Sequence, residues 1–232
     1  MLKLFQKLNG DLRQDGFATL VALGDSVTQG CFESSPAQCD YTAVYHNQLK
    51  LKLNSLFRQP LNVINAGIGG DNAPGGAARL ERDVLSHHPD LVTVCYGLND
   101  VHGEKENYLN ALEEIFTNLK EAGVCTIFMT PNMMNTRVLD SVPEGWLRDT
   151  AHRTAEIQNN GRMDEYISEA IALAKRMDVP VCDCYTIWKQ MEAAGVDISA
   201  SLANGINHPN RELHQLFANE LLKTLLALSE AE

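Results

Sequence analysis

The sequence predicts an α/β protein, a three-layer α/β/α sandwich built on a five-stranded parallel sheet of flavodoxin-like order. Three observations point there. Short apolar runs alternate with longer amphipathic stretches along the chain, the rhythm of strands joined by crossover helices. The runs are apolar at nearly every position rather than at alternate ones, as strands covered on both faces must be. Polar, glycine-containing breaks follow several of these runs, at the sheet edge where parallel architectures carry their sites.

Taken in order, the strand runs are TLVALGD (19–25), LNVINAG (61–67), DLVTVCYG (90–97), VCTIFMTP (124–131) and VPVCDC (179–184). The helical stretches are YTAVYHNQLKLKLNSLF (41–57), GGAARLERDVLSHH (75–88), ENYLNALEEIFTNLKEAG (106–123), GRMDEYISEAIALAKRMD (161–178), TIWKQMEAAG (186–195) and HQLFANELLKTLLALSE (214–230). In the third of these, Leu109, Leu112, Ile115, Phe116 and Leu119 recur at helical spacing, and Gly123 is a suitable stop. No linker, repeat or low-complexity tract intervenes, so residues 1–232 read as one domain. Residues 132–160 are the least regular, mixing Pro143, Gly145, Trp146 and several charges. Following the fourth strand, they are expected to form either a lid or rim over the ligand crevice or a surface excursion with a short helix.

A chain of 232 residues with 44% hydrophobic and 21% charged residues can bury a large core without covalent staples. Its formal net charge of -11, with no cluster of lysine or arginine, excludes a protein whose main partner is a phosphate backbone. The opening MLKLFQKLNGDLRQDG has no apolar core of signal-peptide length, and no run approaches a membrane span. A cytoplasmic location without stable membrane insertion is the expectation. The six cysteines are then expected to stay reduced. Cys182 and Cys184 lack the spacing of a zinc clip and have no answering pair, so neither a metal nor an organic cofactor is expected.

Four polar breaks remain: Gly24-Asp25-Ser26, NAGIGGDNAPGG from Asn65, YGLND from Tyr96 and NGINHPN from Asn204. Ser26 and Gln29 have the spacing of a helix capping box. The alternative is that Ser26 is a nucleophile at a strand end. In a parallel sheet the first three breaks share one edge, and a serine, glycine amides and an amide side chain converging there are what ester hydrolysis requires. Competing motifs fail. Gly24-Asp25-Ser26-Val27-Thr28 is not the Gly-x-Ser-x-Gly elbow. Asn72 stands where a dinucleotide fingerprint needs glycine, and Gly76 where a P-loop needs lysine.

These four blocks, in this order, resemble the SGNH hydrolases, the esterase and lipase group also called GDSL hydrolases. The resemblance runs from the strand before Ser26 to the helix after His208. It implies Ser26 in GDSVTQG as nucleophile and oxyanion-hole amide, Gly70 in NAGIGGD as a second amide, Asn99 in GLND as a third donor, and His208 in HPN as general base. It also implies a small-molecule ester substrate, cleaved through an acyl-Ser26 intermediate. Short acyl groups such as acetyl esters of carbohydrates lead. Lysophospholipase or thioesterase action is the alternative and would need an apolar acyl groove roofed by Met133, Met134, Val138 and Leu139, although packing of these residues under the insertion is the preferred expectation.

One departure stands out. The family places an aspartate three residues before the histidine, where this chain has Gly205. Asn204, Asp183, Asp197 or a backbone carbonyl are the candidates to orient His208 in its place, and a non-catalytic binding module on the same fold is the reading if none does. Neither the natural substrate nor the oligomeric state is legible at this stage.

Overall fold

The computed structural model describes residues 2–230. Its strands are β1 (Ala18–Gly24), β2 (Cys31–Ser34), β3 (Ala37–Cys39), β4 (Leu61–Gly67), β5 (Leu91–Cys95), β6 (Cys125–Met129) and β7 (Val181–Cys182). Its α-helices are α1 (Leu2–Asn9), α2 (Leu12–Asp15), α3 (Ser26–Gln29), α4 (Tyr45–Leu56), α5 (Ala73–Ala78), α6 (Leu80–Asp83), α7 (Lys105–Glu121), α8 (Trp146–Asn159), α9 (Arg162–Arg176), α10 (Cys184–Ala193) and α11 (Arg211–Glu230). Five strands pair in the order β4-β1-β5-β6-β7, every pairing parallel, which is the expected flavodoxin-like order.

The continuous apolar runs are explained by this sandwich. Leu20, Val21, Ala22 and Leu23 of β1 and Val92 and Val94 of β5 are buried on both sheet faces. Helices α4, α10 and α11 pack together in one layer, and α5, α7, α8 and α9 in the other. Parallel strands all end on the same edge, so Gly24, Gly67 and Cys95 finish side by side and the chain breaks that follow them are neighbours.

Four features depart from the sequence reading. Residues 31–39, unassigned from the sequence, form an antiparallel hairpin outside the main sheet. The helix expected over 75–88 is broken into α5, α6 and a 3-10 turn at Leu85–His87. Arg79 leaves helical geometry there because its side chain turns inward to polar partners. The fifth strand shrinks to two residues, since Pro180 has no N–H to give and Asp183 already caps α10. Helix α4 starts at Tyr45 rather than Tyr41, because Asp40 gathers the N–H groups of Thr42 and Ala43 into a turn. In the irregular segment, Met133 and Met134 are fully buried, while Val138 and Leu139 pack against Val142, Leu147, Ala151 and Ile206.

Candidate active site

Ser26 owes its position to the abrupt end of β1. The carboxylate of Asp25 accepts the N–H of Val27 at 2.9 Å and starts the one-turn helix α3, of which Ser26 is the first residue. The capping pair expected of Ser26 and Gln29 does not form. Asp25 is the cap, and the Gln29 side chain instead accepts the N–H of Gly69 at 2.6 Å, tying α3 to the second motif loop. Glycine at position 67 is what lets that loop come so close: a Cβ there would sit 2.2 Å from the Gln29 nitrogen. The N–H of Ser26, at the start of a helix, has no intrahelical acceptor.

His208 arrives from the far end of the chain. The Asn204 carboxamide oxygen accepts the N–H groups of Ile206, Asn207 and His208 at 3.0, 2.9 and 3.0 Å, curling the loop tightly. A bridge between Leu202 and Pro209 closes it. The ring then spans two partners. Its Nε2 lies 2.9 Å from Ser26 Oγ, and its Nδ1 lies 3.0 Å from the carbonyl oxygen of Phe32 in β2. A carbonyl can only accept, so Nδ1 carries the proton and Nε2 is left to accept from the serine hydroxyl. Burial holds the His208 pKa below its ordinary value, against opposing pulls from the Phe32 carbonyl and Glu33, so the ring is the neutral form a base requires.

The group that orients His208 is therefore a backbone carbonyl, and the structure shows why no aspartate stands at position 205. Gly205 has φ +67, and a Cβ there would approach Val142 Cγ2 to 2.9 Å. Asp183 caps α10 and binds Thr130, and Asp197 pairs with Arg137, so neither meets the imidazole. Asn204 holds the main chain of the loop rather than the ring.

The flank formed by Asn99 and the Gly70 loop is joined through Asp71 and passes Ser26 at Gly69. Asn99 Nδ2 donates to the backbone carbonyl of Asp71 at 2.7 Å, which fixes the amide against the Gly70 turn while its second N–H is geometrically separate. Gly70 has φ +79, and a Cβ there would touch nothing, whereas one on the preceding Gly69 would come within 4.0 Å of Ser26 Cβ. Residues not singled out in the sequence hold this flank. Arg79 donates to the carbonyl of Gly24, the Asp71 carboxylate and the Tyr96 hydroxyl, and Tyr96 in turn donates to Asp71. The buried Asp100 carboxylate accepts the N–H groups of Ala73 and Gly97, joining the second and third motif loops. Desolvation raises Asp25 to about 7 and Asp100 to about 6, against the backbone N–H groups of Val27 and of Ala73 and Gly97, which favour the charged forms. The only sequence sign of this network is an arginine in an alanine-rich segment.

The other histidines brace the site from behind or stand apart. His46 Nε2 meets the carbonyl of Thr28 at 3.0 Å, and His214, fully buried, accepts the N–H of Tyr45 at 3.1 Å. Trp188, on α10, is fully buried in the main hydrophobic core. Among the described residues, no helix is long and apolar enough to cross a membrane.

A parallel α/β sheet with a serine at its carboxyl edge, hydrogen-bonded to a histidine, is the arrangement of serine hydrolases with a flavodoxin-like core. Residues 22–216 match the model of the GDSL-like Lipase/Acylhydrolase family, and the chain belongs to that family. Relatives support the assignment. The thioesterase 1/protease 1/lysophospholipase L1 of Escherichia coli (strain K12) is 28% identical over 214 residues, covering 90% of this chain and 84% of its own. The uncharacterized lipoprotein YqeF of Bacillus subtilis is 27% identical over 124 residues; this match spans 50% of the chain and 49% of that relative. The crystal structure of Axe2, an acetylxylan esterase from Geobacillus stearothermophilus, superposes with a TM-score of 0.67 at 21% identity, covering 94% of this chain and 95% of that one, and shares its fold.

Proposed function

We propose that the protein hydrolyses carboxylic esters of short acyl groups, such as acetyl esters of carbohydrates, with Ser26 as nucleophile and His208 as general base. The observation that carries this reading is the Ser26–His208–Phe32 carbonyl chain, which leaves the histidine one proton to keep and one to take. As Ser26 Oγ attacks the ester carbon, its proton passes to His208 Nε2. The carbonyl oxygen becomes an oxyanion facing the N–H groups of Ser26 and Gly70 and the free N–H of Asn99. His208 returns the proton to the departing alkoxide, leaving an acyl-Ser26, and water drawn in by the same imidazole releases the acid.

Short acyl specificity is supported by where the apolar residues went. Met133 and Met134 are buried under the segment and present no face to a long chain. The cavity adjoining the His208 loop, lined by Glu33, Ser34, Leu139, Asn204 and Gly205 among others, measures about 170 Å³ and is partly polar. The test is hydrolysis of p-nitrophenyl acetate, butyrate and octanoate by wild type, Ser26→Ala and His208→Ala. Turnover fastest on acetate and abolished by both substitutions is the expected result. A preference for octanoate replaces the short-acyl reading with a lipase or thioesterase one, and wild type no faster than Ser26→Ala on every ester leaves a binding module.

A further inference from the structure

Hairpin β2–β3 supplies the Phe32 carbonyl that orients His208, and its two cysteines face each other across the strands. The N–H of Asp40 donates to the carbonyl of Gly30 at 2.8 Å, so residues 30 and 40 are a hydrogen-bonded pair. The next pair along, Cys31 and Cys39, is then of the non-hydrogen-bonded kind, in which Cα atoms lie about 4.5 Å apart, inside the span of about 4.4–6.8 Å that a disulfide bridges. Their sulfurs already stand 3.1 Å apart, with Cys39 exposed and Cys31 half-buried.

We infer that Cys31 and Cys39 form a reversible disulfide that clamps the hairpin holding the Phe32 carbonyl against His208. Its catalytic consequence rests on the reading of Ser26 and His208 as nucleophile and base; the bond itself does not. The oxidant is a low-molecular-weight disulfide of the glutathione class. The thiolate of the exposed Cys39 attacks one sulfur of that disulfide, breaking its S–S bond and expelling one thiolate. Cys31, deprotonated in turn, attacks the Cys39 sulfur of the mixed disulfide and expels the second. The two expelled thiolates take up the protons the cysteines lose, so two electrons leave the protein. Burial and the neighbouring Cys39 push the Cys31 thiol of the reduced pair up to about 12, so the first attack falls to the exposed Cys39.

What the clamp would add follows from its neighbours. Cys31 directly precedes Phe32, and it follows by two residues Gln29, whose side chain holds Gly69 beside the Gly70 turn. Without the bond, the two strands are bridged by Arg211, which binds Glu33 after Phe32 and Asp40 after Cys39 and lies over the Phe32 ring at 4.3 Å. That bridge is half-exposed, so salt weakens it, whereas a covalent bond is indifferent to salt.

The experiment treats wild type and Cys39→Ser with oxidised glutathione or with a reducing dithiol, then reads intact mass, a peptide map and ester hydrolysis at low and high salt. The expected result is loss of two hydrogens and a linked Cys31–Cys39 peptide in wild type only. Oxidised wild type should then keep its kcat at high salt, where reduced wild type and Cys39→Ser lose it several-fold. The map separates this bond from one between the buried Cys182 and Cys184, whose sulfurs are 3.7 Å apart. Free thiols at both positions after treatment, or glutathione held on Cys39 without closure, overturn the disulfide. A linked peptide with the same salt response in both redox states overturns the clamp. The mass result needs no turnover, so it stands apart from any failure of the catalytic reading.

Discussion

Where the second and third motif loops meet, Arg79, Tyr96 and Asp100 are packed away from water, with the Arg79 cation matched to Asp71 and Asp100 held by the N–H groups of Ala73 and Gly97. Where the His208 loop meets hairpin β2–β3, the supports are a main-chain carbonyl, the Asn204 carboxamide and a half-exposed Arg211. In the proposed mechanism the first flank faces the developing oxyanion, and donors there must be in place before charge appears, because reorganising them during the reaction would forfeit their effect. The second flank carries the proposed base, whose ring and loop are held by neutral groups, a main-chain carbonyl and a carboxamide, while its charged pairs, Arg211 with Glu33 and Asp40, lie half-exposed at the hairpin. The difference teaches that rigidity in this site is distributed by what each half does to charge.

The comparison can be broken most forcefully at the reacting pair. Ser26→Ala and His208→Ala should each lower kcat by about 10⁶-fold, the size seen when one member of a mutually dependent nucleophile and base is removed. Steady-state hydrolysis of p-nitrophenyl acetate checks this, and a His208→Ala enzyme within about a hundredfold of wild type would remove His208 as base. Next in size, Arg79→Met strips the buried network of its cation and should cost about 3–5 kcal/mol of unfolding free energy in urea, because Asp71 and the Gly24 carbonyl lose their donor. Arg211→Met, with an exposed ion pair, should cost about 0–1 kcal/mol. Equal costs would erase the distinction between the two flanks.

Smaller effects sharpen the base side. Gly205→Asp restores the family's acidic residue but meets a positive φ and the Val142 side chain, so it should lose about 1–3 kcal/mol of stability and gain nothing in kcat/KM. A rise in kcat/KM would show that the loop can admit a carboxylate to Nδ1. The slightest effect is on pH. Because the His208 pKa lies below its ordinary value of about 6.5, the ring stays neutral as pH falls through that point, and the acid limb of kcat/KM should appear only below it. Glu33→Gln removes an anion that favours the protonated ring and should move the limb further down.

Much of this was legible from residue patterns. Runs such as TLVALGD and DLVTVCYG could be covered only on both faces, and their polar ends had to share an edge, so the meeting of Ser26 with the second and third motif loops was implied by parallel topology. What escaped is equally physical. The break at Arg79 follows from a side chain seeking buried acceptors, which no helical periodicity records. Asp183 and Asp197 looked eligible as partners for His208 because a carboxylate reads the same in sequence whether it caps a helix or orients a base. The hairpin was too short to leave an alternation. The group that does orient His208 has no sequence signature at all, since every residue carries a carbonyl.

That last property has an evolutionary side. Any amino acid at position 32 would still present a carbonyl, so substitution there leaves the tautomer of the base untouched and alters only what the Phe32 ring does, which is to lie under Arg211 and pack 4.8 Å from His214. A triad aspartate is lost with one codon. Here a codon change at position 32 reaches the orienting carbonyl only by displacing the hairpin that carries it.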